Sequence, residues 1–219
     1  MDTPVIMPSH VTVLSPRRRA ADTAFATPIR CLVVDDHPAV RLGVRELVGS
    51  EPGLEVCDAF ASAERALAFA EHHRFEVAIV DYQLEGRSGL WLSRRLRRLP
   101  DPPAVLIYSA FSDHLLAAAC VVAEASALVS KAALGEELAA RIRAVAAGER
   151  SLPRVPPALA DSIRRRFDEE EQSIFGLLAA GVPAADIPQT LRLGRTEVDE
   201  QLGRMLRKLE RARPDPDAS

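Results

Sequence analysis

Several short apolar runs in this chain end in residues whose types suit one kind of chemistry. "CLVVDD" ends in Asp35 and Asp36, "VAIVD" in Asp81, "VLIYS" in Ser109 and "ALVSK" in Lys131. Three carboxylates gathered in one place raise each other's pKa and are unfavourable together without a cation. Mg²⁺ is the natural counter-ion, a hard cation that takes oxygen ligands from carboxylates, waters and a phosphate group. With that ion beside it, Asp81 is a nucleophile for in-line displacement at phosphorus. Lys131 offers a second positive charge, and Ser109 a hydroxyl that can bond the transferred group. Lys131 stands out further because Lys208 is the only other lysine.

These residues converge only if the runs are neighbouring strands. The candidate strands are Arg30–Val34, Leu54–Asp58, Val77–Val80, Val105–Tyr108 and Ala127–Val129. Between and after them lie Ala39–Val48, Ser62–His72, Gly89–Leu99, Asp113–Ala123 and Gly135–Ala147, with apolar residues at helical spacing. Strands apolar throughout, each followed by a helix, predict a parallel sheet covered on both faces. The fold class is therefore α/β, a doubly wound (βα)5 domain over residues 29–147. Such sheets bind ligands outside the carboxyl ends of their strands, which is where the acids, the hydroxyl and the lysine fall.

After this domain the composition changes. Residues 148–166, rich in proline and arginine, read as a linker running into a short helix. Residues 167–211 carry no strand pattern and predict helices at Glu169–Ala180, Ala184–Leu191 and Glu197–Arg211, with a turn at Leu193-Gly194. Asp168 with Glu171 forms a capping box, Gly181 a helix stop, and Thr196 with Asp199 a second cap. Helix, short helix, turn and long helix make a small all-α helix-turn-helix domain. Residues 1–28, with four prolines and Arg17-Arg18-Arg19, read as a disordered leader, and 212–219 as a disordered tail.

The 219 residues carry a net charge of −3 and are 47% hydrophobic, the composition of a soluble globular protein. No apolar run approaches the roughly 20 residues that span a bilayer. The three cysteines follow no metal-binding spacing and read as buried, reduced thiols, which with the lack of a secretory signal suits the cytoplasm.

"VVDDHPAVRLGVRELV", the Asp81 to Gly89 spacing in "DYQLEGRSG", Ser109 and Lys131 together resemble a two-component receiver domain. The "DDHP…R.G" pattern is similar to that of the NarL/FixJ type, in which the receiver precedes a LuxR-like helix-turn-helix. The resemblance implies that Asp81 accepts a phosphoryl group from a sensor histidine kinase and is not part of a turnover enzyme. It implies Mg²⁺ at Asp36, Asp81 and the Gln83 backbone carbonyl, with Asp35 supporting the ion through water. Ser109 and the fourth and fifth strand–helix units would shift on phosphorylation and promote a homodimer. Three positions depart from the pattern: Leu128 replaces the usual aromatic, Glu85 a proline, and Glu124 a glycine. A metallohydrolase using His37 is the enzyme alternative, but His72-His73, predicted on a helix, cannot both face one metal. His37 is better explained as a helix-start residue before Pro38.

The carboxy-terminal region resembles the LuxR-type domain through Phe167, Ile174, Leu177, Gly181, Ile187, Leu191, Val198, Leu202, Leu206 and Leu209. DNA contacts are expected from Gln201, Arg204, Arg207 and Lys208. Two features oppose DNA binding. Residues 151–219 hold 11 basic and 12 acidic side chains, and Glu197, Asp199 and Glu200 crowd the start of the recognition helix. Pro188 falls inside the predicted scaffold helix, where an interior proline costs about 3 kcal/mol. The alternative is a phosphorylation-switched regulator whose helical domain docks on a protein.

Overall fold

The computed structural model describes residues 27–133 and 135–212. The predicted leader and tail fall almost wholly outside them. Five parallel strands, β1 (Ile29–Val34), β2 (Leu54–Phe60), β3 (Val77–Asp81), β4 (Ala104–Ser109) and β5 (Ala127–Ser130), lie in the order β2-β1-β3-β4-β5. The intervening helices are α1 (Pro38–Ser50), α2 (Ala63–Ala70), α3 (Gly89–Leu96), α4 (His114–Val122) and α5 (Gly135–Ala146). Strand residues alternate between two cores. Cys31, Val33, Val77, Ile79 and Leu106 face α1 and α5, while Leu32, Val34, Ala78, Val80 and Ile107 face α2, α3 and α4. This double burial is why the inner strands β1, β3 and β4 are almost wholly apolar, whereas the edge strand β2 carries Glu55 and Asp58. The order reverses between β1 and β3, so their carboxyl ends flank the crevice where Asp35 and Asp81 emerge.

Four helices follow: α6 (Pro157–Arg164), α7 (Glu169–Ala179), α8 (Ile187–Leu191) and α9 (Arg195–Ala212). Their apolar residues, Ile163, Phe167, Ile174, Phe175, Leu178, Val198, Leu202, Met205, Leu206 and Leu209, continue the core on the α4 side of the sheet. α4 is buried at Leu116 through Cys120 and again at Val122, as a helix covered on both sides must be. The sheet lies on one side of it and α6, α7 and α9 on the other. Its small Ala117, Ala118 and Ala119 let both layers approach.

The structure modifies several expectations. The linker is not loose: Ser151 pairs with Ala127 alongside β5, Leu128 N donates to Ser151 O, and α6 buries Ile163. α2 ends at Ala70, so His72 and His73 lie beyond it, with His73 stacked on Phe69. α8 begins at Ile187, not Ala184, which puts Pro188 in the first turn, where no intrahelical N–H bond is lost. The interior-proline penalty therefore does not apply. The Asp168–Glu171 capping box forms, and Gly181 takes φ +87° after α7. The Thr196–Asp199 cap does not form; Glu197 Oε2 accepts from Gly194 N instead. Cys31 and Cys120 are buried and Cys57 only partly so. No described helix is long and apolar enough to cross a membrane.

Candidate functional site

The crevice gathers Asp35, Asp36 and Asp81, the three acids expected to form the site. Asp35 and Asp81 are only 2% and 4% exposed, and Ser109 1%. Asp35 is fixed by its backbone N–H to Phe60 O at 3.1 Å and by Arg41 Nη1 donating to its carbonyl at 2.6 Å. His37 serves as N-cap with Pro38 at the first helical position, as expected, and its N–H donates to Asp35 Oδ1 at 2.9 Å. Gln83 N donates to Asp81 Oδ1 at 3.3 Å and Glu85 N to Asp36 Oδ2 at 3.2 Å, so the β3–α3 loop ties the carboxylates together.

Lys131 closes the cluster. Its Nζ donates to Asp35 Oδ2 at 2.6 Å and to Asp81 Oδ2 at 2.8 Å. Lys131 N also donates to Ser109 O at 2.7 Å, which holds the ends of β4 and β5 in step. Burial pushes the Asp81 carboxyl above its usual pKa; Lys131 opposes this and Asp35 adds to it. Burial also works against the Lys131 ammonium, but its bonds to Asp35 and Asp81 outweigh that and hold its pKa above the ordinary value. Ser109 Oγ accepts from Phe111 N at 3.1 Å, linking the hydroxyl to the β4–α4 loop.

The donor set suits a hard divalent cation. Ligand atoms of Asp35, Asp36, His37 and Asp81 all lie within 4.8 Å of one another. One ammonium does not neutralise three carboxylates. Asp36 Oδ1 is buried without a hydrogen bond, although His37 Nδ1 approaches to 2.7 Å. A buried carboxylate oxygen left over in this way is what an incoming cation satisfies. Gln83 lies in the loop beside Asp81, with its backbone N–H already committed to that carboxylate.

Residues 31–143 match the family described as "Response regulator receiver domain". The chain belongs to this family. It is a response regulator of the NarL/FixJ type. The "DNA-binding transcriptional activator DevR/DosR" of Mycobacterium tuberculosis is 31% identical over 192 residues, covering 83% of this chain and 88% of that protein. The "Transcriptional regulatory protein UhpA" of Escherichia coli is 31% identical over 183 residues, covering 80% and 92%. A solved "two-component response regulator, LuxR family," from Aurantimonas sp. SI85-9A1 is 30% identical, with a TM-score of 0.55 over 63% of this chain and 96% of that one.

The helices of this response regulator's output region sit differently from what the sequence predicts for DNA contacts. Gln201 is 5% exposed and donates to Glu170. Lys208 Nζ pairs with the buried Glu171. Gln201 therefore belongs to the interior of the helical domain, while Lys208 stays partly exposed but is turned onto Glu171, so neither stands free beside Arg204 and Arg207. The reason is phase. Gln201 lies between Val198 and Met205 on the apolar side of α9, while Arg204 and Arg207 lie on the opposite side. That second side faces α3 of the receiver across a cleft of about 1550 Å³. Arg94 and Arg98 on α3 both reach Asp199 on α9, and Ser88 Oγ reaches Glu210. Sequence reasoning missed these residues. The available signal was Arg94 itself, four residues after Leu90 and so in phase with the buried side of α3.

Proposed function

We propose that Asp81 accepts a phosphoryl group from a sensor histidine kinase and that this acceptor, not a turnover enzyme, controls transcription through the α6–α9 region. The observation that carries the reading is Lys131 Nζ bridging Asp35 and Asp81 at the mouth of the sheet. Asp81 attacks phosphorus through a carboxylate oxygen, and the bond to the donor imidazole nitrogen breaks. Lys131 is within reach of a phosphoryl oxygen on Asp81. The Ser109 hydroxyl, at the end of the neighbouring strand, bonds another. Asp36, Asp81 and the Gln83 carbonyl would hold Mg²⁺, with Asp35 supporting it through water. When bound, that ion neutralises charge developing on the phosphoryl oxygens. The cytoplasm is the compartment this reading requires.

DNA is the proposed target, in keeping with the "DNA-binding transcriptional activator" among the relatives. Of the four side chains expected to touch it, Arg204 and Arg207 are available on α9 once that helix leaves α3. Activation would free this face, and a homodimer would present two copies of it. Labelling with acetyl phosphate tests the acceptor: Asp81→Asn is expected to take up no phosphate, and excess EDTA to block uptake by the wild type. Stoichiometric labelling of the variant at the wild-type rate would sink the assignment. Recovery of source DNA fragments by beryllofluoride-activated protein at two salt concentrations tests the output. Enrichment at low salt that needs activation supports transcription control. Its absence from a folded, labelled protein moves the reading to a protein target.

A further inference from the structure

The acids that crowd the first turns of α9 are poorly suited to a phosphate backbone, and the structure gives two acids of this helix another partner. Asp199 Oδ1 accepts from Arg98 Nη2 at 2.9 Å and from Arg94 Nη2 at 3.1 Å, and Arg94 Nη2 also reaches Asp199 O at 3.2 Å. Farther along α9, Glu210 Oε1 accepts from Ser88 Oγ at 2.6 Å. Asp199 to Glu210 spans about 16 Å of helix, and Ser88 to Arg98 about 15 Å. The pairing crosses over, Asp199 with the end of α3 and Glu210 with its start, so the helices run antiparallel and in register.

Arg94 explains why the contact matters. It is 5% exposed. A buried guanidinium is unfavourable unless it is paired and hydrogen-bonded. Within the receiver it has Val122 O at 3.4 Å and Glu124 Oε2 at a loose 3.9 Å. Its close carboxylate comes from α9. Glu124 stands where the family has glycine and holds φ +58°, so a strained backbone position contributes to the same cluster. Two departures from the family pattern, Glu124 and the acidic start of α9, thus meet on one arginine.

We infer that Asp199 and Glu210 form a two-point clasp to Arg94, Arg98 and Ser88 that holds α9 on α3 and sets the balance between this state and a released one. The inference rests on the reading of α9 as the output helix. The clasp and a nucleic acid compete for the same side of α9, because Arg204 and Arg207 line the cleft that the clasp closes. An electrostatic clasp at a partly solvated cleft weakens with salt.

Trp91, the only tryptophan, lines this cleft between the guanidinia of Arg87 and Arg95 and reports on it. Acrylamide quenching of Trp91 in the full chain is the test. Asp199→Asn is expected to shift the closed-to-open ratio about tenfold, as loss of a charge-assisted hydrogen bond does. Quenching should then approach that of the beryllofluoride-activated wild type. Glu210→Gln should move it in the same direction. Arg98→Ala should add little to Asp199→Asn, since both remove one shared interaction. Acetyl-phosphate labelling of Asp81 in each variant confirms an intact receiver. Resting-level quenching in both Asp199→Asn and Glu210→Gln, while activation still exposes Trp91 in the wild type, overturns the clasp and leaves the proposed function standing. Exposure of Trp91 in the variants but not on activation of the wild type keeps the clasp and removes phosphorylation as its release.

Discussion

Gly89→Ala would place a methyl group where the end of β3, at Asp81, leaves no room. A Cβ built on Gly89 meets Asp81 O at 2.0 Å, Asp81 C at 2.9 Å and Val80 Cγ1 at 2.9 Å. Carbon and carbonyl oxygen settle no closer than about 3.3 Å, so the two backbones must separate by about 1 Å. Neither side moves easily. Gly89 N is bonded to Tyr82 O at 2.9 Å, Ser88 caps α3, and Val80 and Asp81 are locked between β1 and β4. Overpacking of this kind costs about 1–3 kcal/mol. For a chain of this size each kcal/mol lowers the melting temperature by about 2–4 °C. The functional effect should exceed the stability effect, because a displacement of about 1 Å at a reacting centre can cost on the order of 100-fold in rate. Thermal melting and the rate of acetyl-phosphate labelling, measured side by side, give both quantities. A variant that melts within about 1 °C of the wild type and labels at the same rate would show that α3 and β3 are not tightly coupled, and the geometric argument would fail.

Three further outcomes follow from the same geometry. Mg²⁺ at about 100 times its dissociation constant should stabilise the wild type by about 2.7 kcal/mol, and Asp36→Asn should abolish the rise in melting temperature; an equal rise in the variant would remove Asp36 from the ligand set. Phe111→Ala should leave Asp81 labelling intact but blunt the activation-dependent change in Trp91 emission. Leu128 carries no ring, and Phe111 is the aromatic residue tied to the Ser109 hydroxyl; an undiminished response would exclude it as the lever. Glu171→Ala should destabilise the helical region by about 1–3 kcal/mol, since it strips a partner from Asp168 N and from Lys208. Unchanged amide exchange in α7 and α9 would show that this buried carboxylate is dispensable.

The receiver was legible in the chain because its determinants are local. Apolar runs bounded by turn residues define the strands, and the polar residues closing the first, third, fourth and fifth runs mark the carboxyl edge, so the sequence alone places Asp35, Asp36, Asp81, Ser109 and Lys131 there. The capping box at Asp168 and the stop at Gly181 were legible for the same reason. α8 was misjudged because a proline reads as interior or initial only once the helix start is known, and packing put that start at Ile187.

What only the tertiary structure decided concerns surfaces that lie far apart in sequence. Helical period assigns Gln201 and Lys208 to a face of α9, but nothing local says whether that face meets DNA, its own domain or the receiver. The docking of α4 against both the sheet and α9 settles it, because one contact fixes the rotation of the whole helix. Asp199 likewise reads as a helix-start acid that complements the dipole. Its pairing with Arg94 crosses more than 100 residues of chain and exists only once two separately legible units have packed together. Short-range chemistry is written in neighbouring residues. The pairing of charges across an interface depends on how rigid elements stack, and no stretch of sequence carries that alone.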